Sequence, residues 1–153
     1  MEAQIFQVNQ LEMMQEIGKK EYICGWYHSH PGYGCWLSGI DVTSQFFNQK
    51  IGQQSIAIVI DSIKTISTGI YWIGKIEIGC FRTYPEGYAP KNDEATSENI
   101  PLEKVTDYGL HASRYYKLNH TYFKTFSDQQ ILNELWNKYW MNTIASQSIT
   151  TVY

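Results

Sequence analysis

The run SIAIVID at residues 55–61 is uninterrupted in its apolar residues and bounded by polar ones, the pattern of a strand buried at the centre of a sheet. Such a strand needs paired neighbours, and the chain offers them. Residues 22–27 are aromatic and β-branched enough for a second strand that delivers His28 at its end. Residues 70–84 supply a third strand or a hairpin pair, with Gly69, Gly74 and Gly79 as bends. Weak alternation over 108–125 predicts one or two edge strands.

Helices are predicted between and around these strands. Ile5, Val8, Leu11, Met14 and Ile17 recur every three positions ahead of Gly18, which predicts an amphipathic helix over 5–17. Residues 40–50 lack Pro and Gly and follow Ser38, so a helix starts there with Ser38 and Asp41 at its first turn. Ile131, Leu135, Trp136, Tyr139 and Trp140 are helix-spaced within 128–144, and these aromatics read as core or interface. Residues 85–101 are rich in Pro, Gly, Asn, Asp, Glu, Ser and Thr, an exposed connection. The fold class is α/β.

At 153 residues the chain fits one domain. Residues 1–84 form its core with the candidate site, 85–101 a connection or insertion, and 102–153 the strands and helix that complete it. A hydrophobic share of 43% argues against disorder, and a net charge of -3 leaves no basic stripe for a phosphate backbone. Nucleic acid is therefore excluded as a first partner. No apolar stretch reaches bilayer-spanning length, so no membrane is expected. Cys24, Cys35 and Cys80 are odd in number and unrelated in spacing, which predicts a reducing compartment, cytoplasm or nucleus.

The chemistry is concentrated in residues 28–41. Residues two apart on a strand share a face, so His28 and His30 can present two imidazoles to one ion. A loop and the first turn of a helix can return Asp41 over the strand end. Two neutral nitrogens, one carboxylate and a position left for water make a catalytic zinc set, and none of the cysteines has the spacing of a zinc clip. Zinc in such a set lowers the pKa of water to about 7 and polarises a carbonyl for hydrolysis. Ser38 is spaced to donate its hydroxyl to a developing oxyanion, and its other reading is a helix N-cap. His-x-His alone is commonplace; with Ser and Asp at fixed offsets, chance occurrence falls to the order of a few in ten thousand. His111 and His120 read as structural, and Cys35 as a packing residue with no base beside it.

The stretch GWYHSHPGYGCWLSGIDVTSQ, residues 25–45, resembles the signature loop of the JAMM (MPN-plus) metalloproteases, a family that includes isopeptidase subunits of the COP9 signalosome and the proteasome lid. FRTYPEGY (81–88), IPLEKVTDYGLHASRYYKL (100–118) and LNELWNKYWMNT (132–143) are similar to the signalosome branch, its catalytic fifth subunit. The resemblance implies an α-β sandwich around a mixed, curved sheet of the cytidine-deaminase-like kind. It also implies one Zn2+ on His28, His30 and Asp41, an oxyanion role for Ser38, and removal of NEDD8 from cullin lysines. Implied partners are the other signalosome subunits, among them a metal-free MPN-domain protein, with neddylated cullins as substrate. The family's general acid/base glutamate lies on a segment upstream of the first helix here, and Glu2, Glu12, Glu16 and Glu21 do not match it. The expectation for residues 1–153 is thus a shortened domain lacking that group and its opening strands, with a non-catalytic scaffold or a deubiquitinase as alternatives. Residues 70–74 (IYWIG) form an extra stretch relative to the family.

Overall fold

In the computed structural model, residues 2–67, 76–88, 90 and 102–146 are described. Helix α1 (Glu2–Glu16) is closed by Gly18 N–H to the Gln15 carbonyl and Lys19 N–H to the Met14 carbonyl, the paired bonds that end a helix on a glycine. The helix forms where the apolar spacing predicts it, yet Ile5, Val8 and Ile17 are exposed and only Leu11 and Met14 are half-buried. Strand β1 (Gly25–Ser29) leads through a loop to α2 (Gly39–Ile51), and α2 returns the chain to β2 (Ile56–Ile60). β1 and β2 pair in parallel, Gly25 opposite Ile56 and His28 opposite Val59, so β1-α2-β2 is one crossover unit.

Next come α3 (Ser62–Ser67), β3 (Ile78–Thr83), α4 (Val105–His111), β4 (Tyr115–Leu118) and α5 (Phe126–Ser146). β3 pairs antiparallel with β2 and β4 with β3, giving a mixed sheet in the order β1-β2-β3-β4 among the described residues. The central position expected of 55–61 is that of β2. Its burial alternates, however: Ala57 and Val59 face the core at 0% exposure, while Ile56, Ile58 and Ile60 are half-buried on the opposite face. The core joins these two with Trp36, Leu37, Val42, Phe81 and Tyr115, and α2 lies over it.

Two expectations are corrected. The strand expected over 22–27 begins only at Gly25, because β2 offers no partner before Ile56 and Tyr22 is left 84% exposed. Gly25 is needed at that start, since a Cβ there would lie 2.3 Å from the Ile56 carbonyl oxygen. The first part of the edge-strand segment, up to Arg114, is helical: α4 precedes a 3-10 turn at Ala112–Arg114, and only Tyr115–Leu118 pairs with β3. Helix α3 has no counterpart in the sequence reading; Asp61 starts it, accepting the Lys64 N–H at 2.8 Å. Of the 70–84 segment, residues 70–75, which include the 70–74 stretch, lie outside the described residues, and among the rest Ile78–Thr83 is strand. Of the 85–101 connection, residues 85–88 are exposed, as expected, and most of the rest lies outside them. α5 packs on α3 with Trp136, Tyr139 and Trp140 half-buried. No helix among the described residues is long and apolar enough to cross a membrane.

Candidate metal centre

Alternation along β1 puts Trp26 and His28 on one face, and His30, just past the strand end, continues the row because its N–H still bonds the Ile60 carbonyl at 2.9 Å. Trp26 stacks on the His28 ring at 4.7 Å, and His30 stacks on Tyr33 at 4.5 Å with Trp36 edge-on at 5.5 Å. Each imidazole is thus braced by aromatic rings. The two Nε2 atoms approach to 3.0 Å. Trp26 is held in turn: its indole N–H donates to Gln45 on α2 at 2.9 Å, and the Gln45 amide donates to the Ser55 carbonyl at 2.8 Å. Gln45 is fully buried, a polar bolt between β1, α2 and the start of β2.

The loop from 31 to 38 is anchored at both ends. Gly32 and Gly34, with φ of 86° and 87°, turn their N–H groups onto the two oxygens of buried Asp61, each at 2.8 Å. Cys35, Trp36 and Leu37 then plug into the core at 2% exposure or less, which bears out the packing role expected of Cys35. The loop is therefore built from the core outward.

Ser38 is the N-cap of α2 and forms a capping box with Asp41. Its hydroxyl and its backbone N–H both donate to Asp41 Oδ2, at 2.6 and 2.9 Å, and the Asp41 N–H returns to Ser38 Oγ at 3.3 Å. The same Oδ2 stands 3.4 Å from His28 Nε2 and 3.7 Å from His30 Nε2. Partial burial favours the neutral acid at Asp41, but the facing imidazoles of His28 and His30 and the hydrogen bonds from Ser38 outweigh it and hold the carboxyl well below the ordinary aspartate range. Asp107 on α4 accepts the Gly39 N–H at 3.2 Å, and His111 lies so close that a Cβ on Gly39 would meet its Nε2 at 2.5 Å. His111 thus serves the packing of α2, consistent with the structural reading, and His120 contacts its own strand through the Leu118 carbonyl at 3.4 Å.

A family profile described as JAB1/Mov34/MPN/PAD-1 ubiquitin protease matches residues 1–54, the stretch that holds His28, His30, Ser38 and Asp41. The chain is 51% identical over 149 residues to COP9 signalosome complex subunit 5 of Dictyostelium discoideum, covering 97% of this chain and 43% of that protein. Proteins of the same name from Drosophila melanogaster and Oryza sativa subsp. japonica are 49% and 48% identical over 142 and 150 residues, covering 92% and 97% of this chain. The chain belongs to the JAB/MPN family. It spans less than half the length of these relatives, 43%, 42% and 40% of them.

In this JAB/MPN chain His28, His30 and Asp41 offer three ligand atoms within 4.8 Å of one another. Their separations of 3.0, 3.4 and 3.7 Å bracket the edge of about 3.3 Å that a tetrahedral ion with bonds of about 2.0–2.1 Å imposes. Two imidazoles with one carboxylate are also the donor chemistry of a hydrolytic zinc site, so the residues fit the ion. The supporting groups Gln45, Asp61 and Asp107 escaped the sequence reading. Each acts on a backbone or side chain distant in sequence, and only Asp61, the polar end of the apolar run, left a trace there.

Proposed function

We propose that this chain carries the zinc-dependent isopeptidase site of a COP9 signalosome fifth-subunit protein, and that it hydrolyses the isopeptide bond between NEDD8 and a cullin lysine. The observation that carries this reading is the convergence of His28 Nε2, His30 Nε2 and Asp41 Oδ2 at one point at the end of β1. The relatives' name, COP9 signalosome complex subunit 5, supports membership in that complex; the other signalosome subunits, a metal-free MPN-domain protein among them, are proposed as partners on the family resemblance. None of the three cysteines is in a disulfide, which suits a cytoplasmic and nuclear location.

His28, His30 and Asp41 would hold Zn2+, which supplies Lewis acidity toward the scissile carbonyl and lowers the pKa of water. Asp41 contributes the one negative charge of the set, and the capping box fixes its orientation before any ligand arrives. Ser38 lends its hydroxyl proton to Asp41 Oδ2 here. A carboxylate engaged by a cation is a weaker acceptor, which frees that proton to turn toward an oxygen gaining negative charge in the substrate. The stacked rings of Trp26, Tyr33 and Trp36 keep the imidazoles from swinging away.

The test is to assemble the chain with its signalosome partners, measure zinc by mass spectrometry, and assay cullin–NEDD8 and diubiquitin side by side. Expected are one zinc per chain, cleavage of the cullin conjugate, and loss of both in His28→Ala and Asp41→Ala. Full zinc in both variants overturns the site. Cleavage of diubiquitin alone reassigns the substrate, and zinc without any cleavage points to a scaffold.

A further inference from the structure

We infer that Asp61 is a positioning residue that sets the tautomer and aim of His30 through the backbone of the 32–34 loop; its relevance to a metal rests on the site reading above. Asp61 is fully buried and sits one residue past β2, opposite the loop. Its carboxylate accepts three backbone N–H groups: Gly32 and Lys64 on Oδ1, Gly34 on Oδ2, each at 2.8 Å. With Gly34 held by its N–H, its carbonyl lies 3.2 Å from His30 Nδ1. A carbonyl oxygen can only accept, so this contact requires a proton on Nδ1, and in the neutral ring that a metal ligand must be, it leaves the Nε2 lone pair facing His28 and Asp41.

The relay therefore runs from a buried carboxylate, through the backbone of one residue, Gly34, to the ring. Its neighbours make the role specific. Thr65 bonds the Asp61 carbonyl and the Glu77 N–H, holding α3 to the sheet without touching the loop. Removing the Thr65 hydroxyl perturbs the same turn while leaving the relay intact.

The experiment uses the full 153-residue chain, metal-free and then titrated with Co2+. Imidazole 15N–1H correlation spectra report the His30 tautomer, the Co2+ absorption bands report affinity, and circular dichroism reports folding. Wild type should show His30 protonated on Nδ1. In Asp61→Asn the amide NH2 faces backbone N–H donors, so the tautomer should become mixed and Co2+ affinity fall by about 10- to 100-fold. Thr65→Val should lower the melting temperature and keep both signatures. A wild-type His30 protonated on Nε2 overturns the inference with no variant needed, as does a folded Asp61→Asn with wild-type tautomer and affinity. Should wild type take up no Co2+ while Asp61→Asn still scrambles the tautomer, the relay stands and the metal reading fails.

Discussion

Two helices of this molecule begin with the same local device. At α2, Ser38 and Asp41 exchange hydrogen bonds across three residues; at α5, Thr125 and Asp128 do the same, with Thr125 N–H and hydroxyl each 2.8 Å from Asp128 Oδ2 and the return bond at 3.1 Å. In both, two donors converge on one carboxylate oxygen. The Asp128 cap is exposed, and among the described residues its carboxylate serves the start of α5. The Asp41 side chain is 14% exposed, and its Oδ2 faces two imidazoles from a neighbouring strand. The motif is thus a helix start in both places and a candidate ligand in one. The parallel crossover that brings β1 alongside α2 makes the difference.

Asp41→Ala should break the contrast most sharply, lowering zinc affinity by more than the roughly 100-fold that loss of an outer partner costs. Asp128→Ala should leave bound zinc unchanged, with equilibrium dialysis of both proteins as the check. Ser38→Ala comes next: cleavage of a cullin–NEDD8 conjugate should fall about 10²- to 10³-fold while zinc stays bound, read from kcat and metal content together. The matched Thr125→Ala should cost only about 1 kcal/mol of stability and leave the rate alone, measured by urea melts. Between these lies Gln45→Leu, which strands the Trp26 indole N–H and should cost about 1–3 kcal/mol, again by urea melts.

The smallest effect is a pH dependence at α5. Thr125's backbone N–H and hydroxyl hold the Asp128 carboxyl below the ordinary aspartate range. A depressed folded pKa means the cap's contribution is complete above the unfolded value of about 3.9 and is lost as pH falls through the lower folded value. Acid titration followed by the Asp128 amide shift should show that late loss, and Asp128→Asn should abolish it.

How much was legible follows from the range of each interaction. The α2 cap, the helix stop at Gly18, the shared face of His28 and His30, and β2 are set by residues within a turn or a strand of one another, and sequence spacing conveys them. The start of β1 depends on where β2 can pair, and α4 on contacts to α2, neither of which periodicity encodes. The support that Asp61, Gln45 and Asp107 give the site is recognisable only once the chain has folded, because the partners through which they give it lie 27 to 29, 10 to 19 and 68 residues away. The same reasoning separates the aromatics: Trp36 is swallowed by a core built from three strands, whereas the apolar stripe of α1 has correct spacing and stays largely exposed.

The close approaches at Gly25 and Gly39 have a consequence for mutational tolerance. One lets two backbones touch where the sheet begins, and the other lets α4 press against the start of α2. Neither glycine offers an atom to a metal. A survey of permitted substitutions across residues 25–41 would nonetheless rank them beside the candidate ligands, so intolerance to change in this stretch marks the boundaries of the scaffold as strongly as its chemistry.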